Sequence, residues 1–265
     1  MRNFKVESCV FVKSVGVEVE CGVPRRRDLQ KLWRWAEEMG VVERVSVGSD
    51  GSVYVGNCDM TSVEIRFWVE TERWWLMKEF MVVLWRRLHI QQNRTCGNHV
   101  HLNIPEFYPI LTYPEFIVYF ERNYFNSFNS SKYRQRLDSN YSRGYFLDGE
   151  GTQVVTLDVL EKEIVRQCSG LDRYRSVNFW PLMRDPATVE FRIMPYATSA
   201  REHLSQITFV IRTVEEFIRS CTELSCCETP LELRELNLPE SIEVDIPVVG
   251  DVTTTIELPE EVLML

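Results

Sequence analysis

The chain has 265 residues, 45% of them hydrophobic and 26% charged, enough apolar material to bury a sizeable core and too much for disorder throughout. The formal charge of −9 belongs to residues 228–265, where ten acidic side chains face one basic residue, Arg234; the other 29 acids and 29 bases cancel. Without a basic excess, duplex nucleic-acid binding gains no support, and no run of eighteen apolar residues offers a membrane span.

Arg2, Lys5, Glu7 and Lys13 interrupt the N-terminal stretch where a signal peptide needs unbroken apolar sequence, so the chain reads as soluble, unexported and cytoplasmic. Its eight cysteines include no CxxC pair, which in such a protein favours free thiols. Residues 4–21 alternate apolar and polar and predict strand, closed by Gly22 and Pro24. A helix follows, with Asp28 as its cap, Leu29, Leu32, Trp33 and Ala36 at helical spacing, and Gly40 as its terminator. Residues 41–47, 52–56 and 63–69 read as strands of a meander around Gly48 to Gly51.

A long helix is predicted from Thr71 to about Asn93, with Leu76, Phe80, Val83, Leu84 and Leu88 on one face and with Trp68, Trp74, Trp75 and Trp85 assigned to the core. His89 on that helix and His203 are read as packing or surface residues. A helix over 113–128 leads into a Ser, Asn, Arg and Gly-rich stretch at 129–152, read as a functional loop or lid. A helix near 156–168, strands at 173–180 and 187–194 and a helix from about 199 to 225 complete the main body. Strands in adjacent pairs between irregularly placed helices predict an α+β fold with a mostly antiparallel sheet. Residues 1–227 form one body, and the acidic appendage at 228–265 is a hairpin or partly disordered.

Three extended segments carry functional groups at every second residue: Glu18 and Glu20, His99 and His101, Glu190 and Arg192. Alternation puts each pair on one strand face, about 7 Å apart. Converged on one sheet surface, they supply the carboxylates, imidazoles and guanidinium that hold divalent cations against a polyphosphate. Bland readings exist for each pair: a solvated strand face for Glu18 and Glu20, a hydrogen-bonded pair or a zinc site with Cys96 or Cys58 for the histidines, and a cross-strand ion pair for Glu190 and Arg192. His99 and His101 followed by Glu106 also resemble the first metal-binding motif of cupins, which implies a metal-dependent oxygenase.

In order, GVEVE at 16–20, DGS at 50–52 with VEIR at 63–66, CGNHVH at 96–101, RYRSVNF at 173–179 and TVEFRIMP at 188–195 resemble the amidoligase family, a branch of the glutamine-synthetase-like carboxylate–amine ligases. The resemblance spans about residues 14–215 and implies an amidoligase-like catalytic domain over 1–227, built on a curved antiparallel sheet with helices packed on one face. It implies ATP with Mg²⁺ or Mn²⁺, and amide or isopeptide formation through an acyl phosphate, from a small-molecule or peptide carboxylate and an amine. Glu18, Glu20, Glu64, His99 and Glu190 would be metal ligands, with Asp50 a weaker candidate. His101, Asn178 and Arg192 would bind the nucleotide, Arg192 and Glu190 would serve catalysis, and Arg136 and Tyr141 would bind substrate. A non-catalytic metal- or nucleotide-binding protein on the same sheet is the third reading. The sequence gives no oligomeric state.

Overall fold

The computed structural model describes residues 4–49, 51, 53–55, 60–168 and 174–225. Asp50, Ser52, Cys58, Arg173, the Cys226–Cys227 pair and the acidic appendage lie outside the described residues. The elements run β1 (Ser14–Val23), α1 (Leu29–Glu38), β2 (Val45–Gly48), β3 (Thr61–Glu70), α2 (Trp74–Val82), β4 (Gly97–Asn103), α3 (Tyr108–Leu111), α4 (Pro114–Ser127), α5 (Ser131–Leu137), α6 (Leu157–Cys168), β5 (Val177–Asn178), β6 (Val189–Pro195) and α7 (Ala200–Ser225). This is an α+β fold. Its six strands form one sheet in the order β2-β3-β1-β4-β6-β5, with every pairing antiparallel.

Alternation along β1 decides which way the sheet faces. Val15, Val17, Val19 and Cys21 are buried in one continuous core with residues of α1, α2, α4 and α7, so Glu18 and Glu20 project from the opposite face. Across the sheet, Glu18 lies opposite Arg66 on β3 and His99 on β4, Glu20 opposite Glu64, and His101 opposite Glu190 on β6. A one-residue slip would send all of these into the core. Beneath them Phe67 of β3 stacks on Phe80 of α2 with centroids 4.6 Å apart, and Trp35 of α1 meets Phe67 edge-on at 5.6 Å. Phe116 and Phe120 of α4 pack on Phe191 of β6.

Several expectations need correction. Residues 4–13 are not strand: Val6–Ser8 is a single 3₁₀ turn, and the N–H groups of Val10, Phe11 and Val12 donate to the Glu215 carboxylate of α7 at 3.2, 2.8 and 2.8 Å. Asp28 makes no capping hydrogen bond, because its carboxylate accepts from Arg25 at 3.0 Å. Trp35, not Trp33, fills the core position of α1. Gly40 does end the helical region, at φ +63°. Residues 53–55 hold no regular strand.

The helix expected to reach Asn93 stops near Arg87. After α2 it widens into a π turn at Val83–Arg87, Leu88 N–H donates to Val83 O, and His89 turns to φ +53° so that Gln91 can pair with Gly22 at the end of β1. His89 is therefore an exposed residue of the exit turn. Of the four tryptophans, Trp74 is buried and Trp85 partly so, but Trp68 and Trp75 are 43% and 50% exposed. The stretch 129–152 contains α5, and the strand expected at 173–180 is reduced to Val177–Asn178.

Candidate functional site

The polar face of the sheet floors a cleft of about 870 Å³, within the size of small-molecule sites. The three alternating pairs meet there. His99 is buried at the centre: its Nδ1 lies 3.2 Å from Glu18 Oε2 and 3.4 Å from Glu190 Oε1, and its Nε2 lies 3.6 Å from Glu20 Oε1. His101 Nε2 is 3.5 Å from Glu18 Oε1 and 3.9 Å from Glu190 Oε1. Arg192 Nη1 donates to Glu190 Oε1 and Asn178 Nδ2 to Glu190 Oε2, both at 2.5 Å, so Glu190 and Arg192 pair along one strand, not across two.

The neighbouring strands complete the floor. Glu64 stands beside Glu20 and pairs with Arg66, whose Nε also donates to Glu18 Oε1 at 3.1 Å. Glu20 is held from below, where Gly97 N–H donates to its Oε2 at 2.5 Å. A Cβ at Gly97 would sit 3.0 Å from Arg136 Nη2, 3.1 Å from His99 Nε2 and 3.3 Å from Glu20 Oε2, so any larger residue would push these three side-chain ends aside.

Four carboxylates this close repel one another, and their surroundings show how the charge is balanced. Burial opposes ionisation of Glu18, yet the close imidazoles of His101 and then His99 hold it far below the usual carboxylate range. Burial opposes Glu190 likewise, and His101, Arg192 and His99 still bring its pKa down. His101 moves the other way: burial lowers its pKa, but the nearby carboxylates of Glu18 and Glu190 raise it overall. Glu64 is raised by burial and then by Glu18.

Glu18, His101 and Glu190 offer ligand atoms that all lie within 4.8 Å of one another, with carboxylate oxygens and one imidazole nitrogen as donors. His101 Nε2 is buried without a well-formed hydrogen bond, while its Nδ1 is oriented by Thr188 Oγ1 at 3.2 Å. An oriented imidazole with its other nitrogen open toward carboxylates fits a hard or borderline divalent cation such as Mg²⁺ or Mn²⁺. His101, which the resemblance gave to phosphate, thus belongs to the best-formed ligand group. Cys96 is buried against Val53 and Val55 and takes no part in it. Glu106 is exposed in a turn away from the cleft lining, which removes the third ligand of the cupin reading.

Arg136 and Tyr141 line the same cleft. Arg136 extends from α5, whose Tyr133 and Leu137 are anchored in the core; its Nη2 donates to Arg192 O at 2.8 Å, and burial lowers its pKa. Tyr141 is 56% exposed, meets Tyr174 edge-on, and accepts from Arg192 Nε at 3.2 Å through its carbonyl. Sequence reasoning passed over Arg66, although it follows Glu64 by two residues and the same alternation finds it. It also missed Thr188, and Trp180 with Arg184 stacked on it at 3.8 Å at the cleft wall, for which no spacing gives a signal. No helix among the described residues is long and apolar enough to cross a membrane. Comparison with protein-family models, with curated proteins and with solved structures gave no match to the chain.

Proposed function

We propose that the chain is an ATP-dependent carboxylate–amine ligase of the glutamine-synthetase-like kind, forming an amide or isopeptide bond through an acyl phosphate. The observation that carries this reading is the meeting of Glu18, Glu20, Glu64, His99, His101 and Glu190 with Arg192 and Arg136 in one cleft over an antiparallel sheet. Such a set suits phosphoryl transfer, in which positioning and charge neutralisation do most of the work and no protein nucleophile is required.

Bound Mg²⁺ or Mn²⁺ would neutralise the triphosphate and lower the barrier to attack on its terminal phosphorus. Glu18, His101 and Glu190 would hold one ion, and Glu20 and Glu64 beside His99 a second. Glu190 keeps Arg192 fixed, so its guanidinium is preorganised for charge on the transferred phosphoryl group. Arg136 would clamp the substrate carboxylate, which attacks that phosphorus and releases ADP; an amine would then attack the acyl carbon, displacing phosphate, which leaves with the proton the amine gives up. Asn178 fixes the second oxygen of Glu190.

Calorimetric titration of ATP with and without Mg²⁺, followed by a screen of acids and amines for ADP release, tests the reading. Mg²⁺-dependent ATP binding is expected, with turnover reduced at least about a hundredfold in Arg192→Ala and Glu18→Gln. Turnover unchanged in both variants, or no ATP binding by the metal-replete protein, overturns it.

A further inference from the structure

We infer that Glu121, a core residue of α4 outside the cleft, is a positioning residue that sets the geometry of Arg192; the inference rests on the role proposed for Arg192 above. Glu121 is fully buried, and both of its oxygens are occupied by donors. Oε1 accepts from Tyr145 N–H at 2.7 Å and Ser176 Oγ at 2.5 Å; Oε2 accepts from Phe146 and Leu147 N–H, each at 2.8 Å. Burial raises the pKa of this carboxyl, against the pull of those four donors.

Three successive backbone N–H groups converging on one side chain need a group that only accepts, which a carboxylate is and an amide is not. Gly144 belongs to the same cradle, because a Cβ there would lie 2.2 Å from Leu147 O and 3.2 Å from Glu121 Oε2. A buried acidic side chain is costly, so its retention at the junction of these segments asks for a reason.

The reason lies one step away, at Arg192. Ser176, held by Glu121, donates its N–H to Arg143 O at 2.8 Å and accepts from Arg192 N–H at 2.9 Å. The segment that Glu121 pins from 145 to 147 also carries Tyr141, whose carbonyl accepts from Arg192 Nε, and Ser142, whose hydroxyl donates to Arg136 O at 3.0 Å. Arg192 and Arg136 therefore both take their positions from backbone tied to Glu121. Glu121 itself contacts none of the metal-type ligands, so a loss here reaches the cleft through the backbone that holds Arg192.

Glu121→Gln keeps the shape and turns one acceptor into a donor, and Ser176→Ala removes a single contact if the first variant fails to fold. In the folded variants, amide exchange at 141–147 and at Arg192 should quicken by about tenfold or more, with the amides of β1 unchanged. With ATP, kcat should fall about tenfold while KM for ATP stays within about twofold, since Arg192 acts on the transferred group. Exchange unchanged at these amides, or kcat and KM moving together, overturns the inference. Should the wild-type protein release no ADP with any substrate, the ligase reading fails by itself, and the exchange measurement still decides whether Glu121 holds Arg192.

Discussion

At the scale of single residues, the same side-chain type takes opposite roles according to its surroundings. His99 and His101 are ringed by carboxylates, whereas His203 on α7 is fully buried with neither ring nitrogen hydrogen-bonded, and burial lowers its pKa from 6.5 to about 3. Its folded pKa is depressed, so the neutral ring is favoured in the fold. The associated stability is complete above pH 6.5 and is lost as pH falls toward 3, at about 1.4 kcal/mol per unit. His203→Leu should therefore flatten the acid limb: its stability relative to wild type should rise steadily in urea melts from pH 6.5 down to 4.5, and a constant difference refutes the assignment. Gly97 is the other decisive residue. Gly97→Ala should fold, yet weaken Mn²⁺ binding about tenfold, some 1.4 kcal/mol, because the new methyl crowds His99, Glu20 and Arg136 together. Paramagnetic titration reads this directly, and wild-type affinity would mean that the close approach at Gly97 is incidental. That each alternating pair shares one face of its strand was legible from spacing alone, since alternation is local. The partners of Glu121 and Glu215 were not, because a buried acid satisfied by distant backbone N–H groups leaves no periodic trace.

At the scale of elements, apolar character predicted burial poorly wherever the backbone departed from a regular period. Trp74 and Trp75 open α2 side by side, about 100° apart around the helix axis, and at this end of the helix the core covers only the first. Trp74 is buried and Trp75 is half exposed. Trp74→Ala should cost about 3 to 5 kcal/mol, whereas Trp75→Ala should stay within about 1 kcal/mol. Similar losses in thermal melts of the two variants would show that Trp75 packs against something further. The π turn after α2 was invisible to sequence because residues 83–88 keep helical hydrophobic spacing; what ends the helix is the pairing of Gln91 with Gly22, a contact made across 69 positions. The short β5 illustrates the converse: Val177 and Asn178 alternate correctly between core and cleft, but β6 supplies ladder partners for only those two residues.

At the scale of the whole molecule, the cleft joins strands that are far apart in sequence. Glu18 on β1, His101 on β4 and Glu190 on β6 come from three segments spread over more than half of the chain, and an ion held among them would tie the middle of the sheet together. The mutual order of the strands, β2-β3-β1-β4-β6-β5, was beyond sequence reasoning, because alternation states which face a residue takes and never which strand lies beside it. Binding to the folded state alone stabilises by mass action, by about 2.7 kcal/mol at a hundredfold excess over Kd. For a chain of this size that corresponds to a rise in Tm of about 5 to 10 °C. Mn²⁺ should produce this rise in the wild-type protein, and the rise should vanish in Glu18→Gln and Glu190→Gln, each of which exchanges an anionic ligand for a neutral amide. Glu64→Gln should keep part of it, since Glu64 lies outside the three-residue group. Ca²⁺, larger and needing more oxygen ligands, should give a smaller rise. Equal shifts in wild type and Glu18→Gln would place the binding elsewhere on the surface and leave the central carboxylates as ion-pair partners of His99, His101, Arg66 and Arg192.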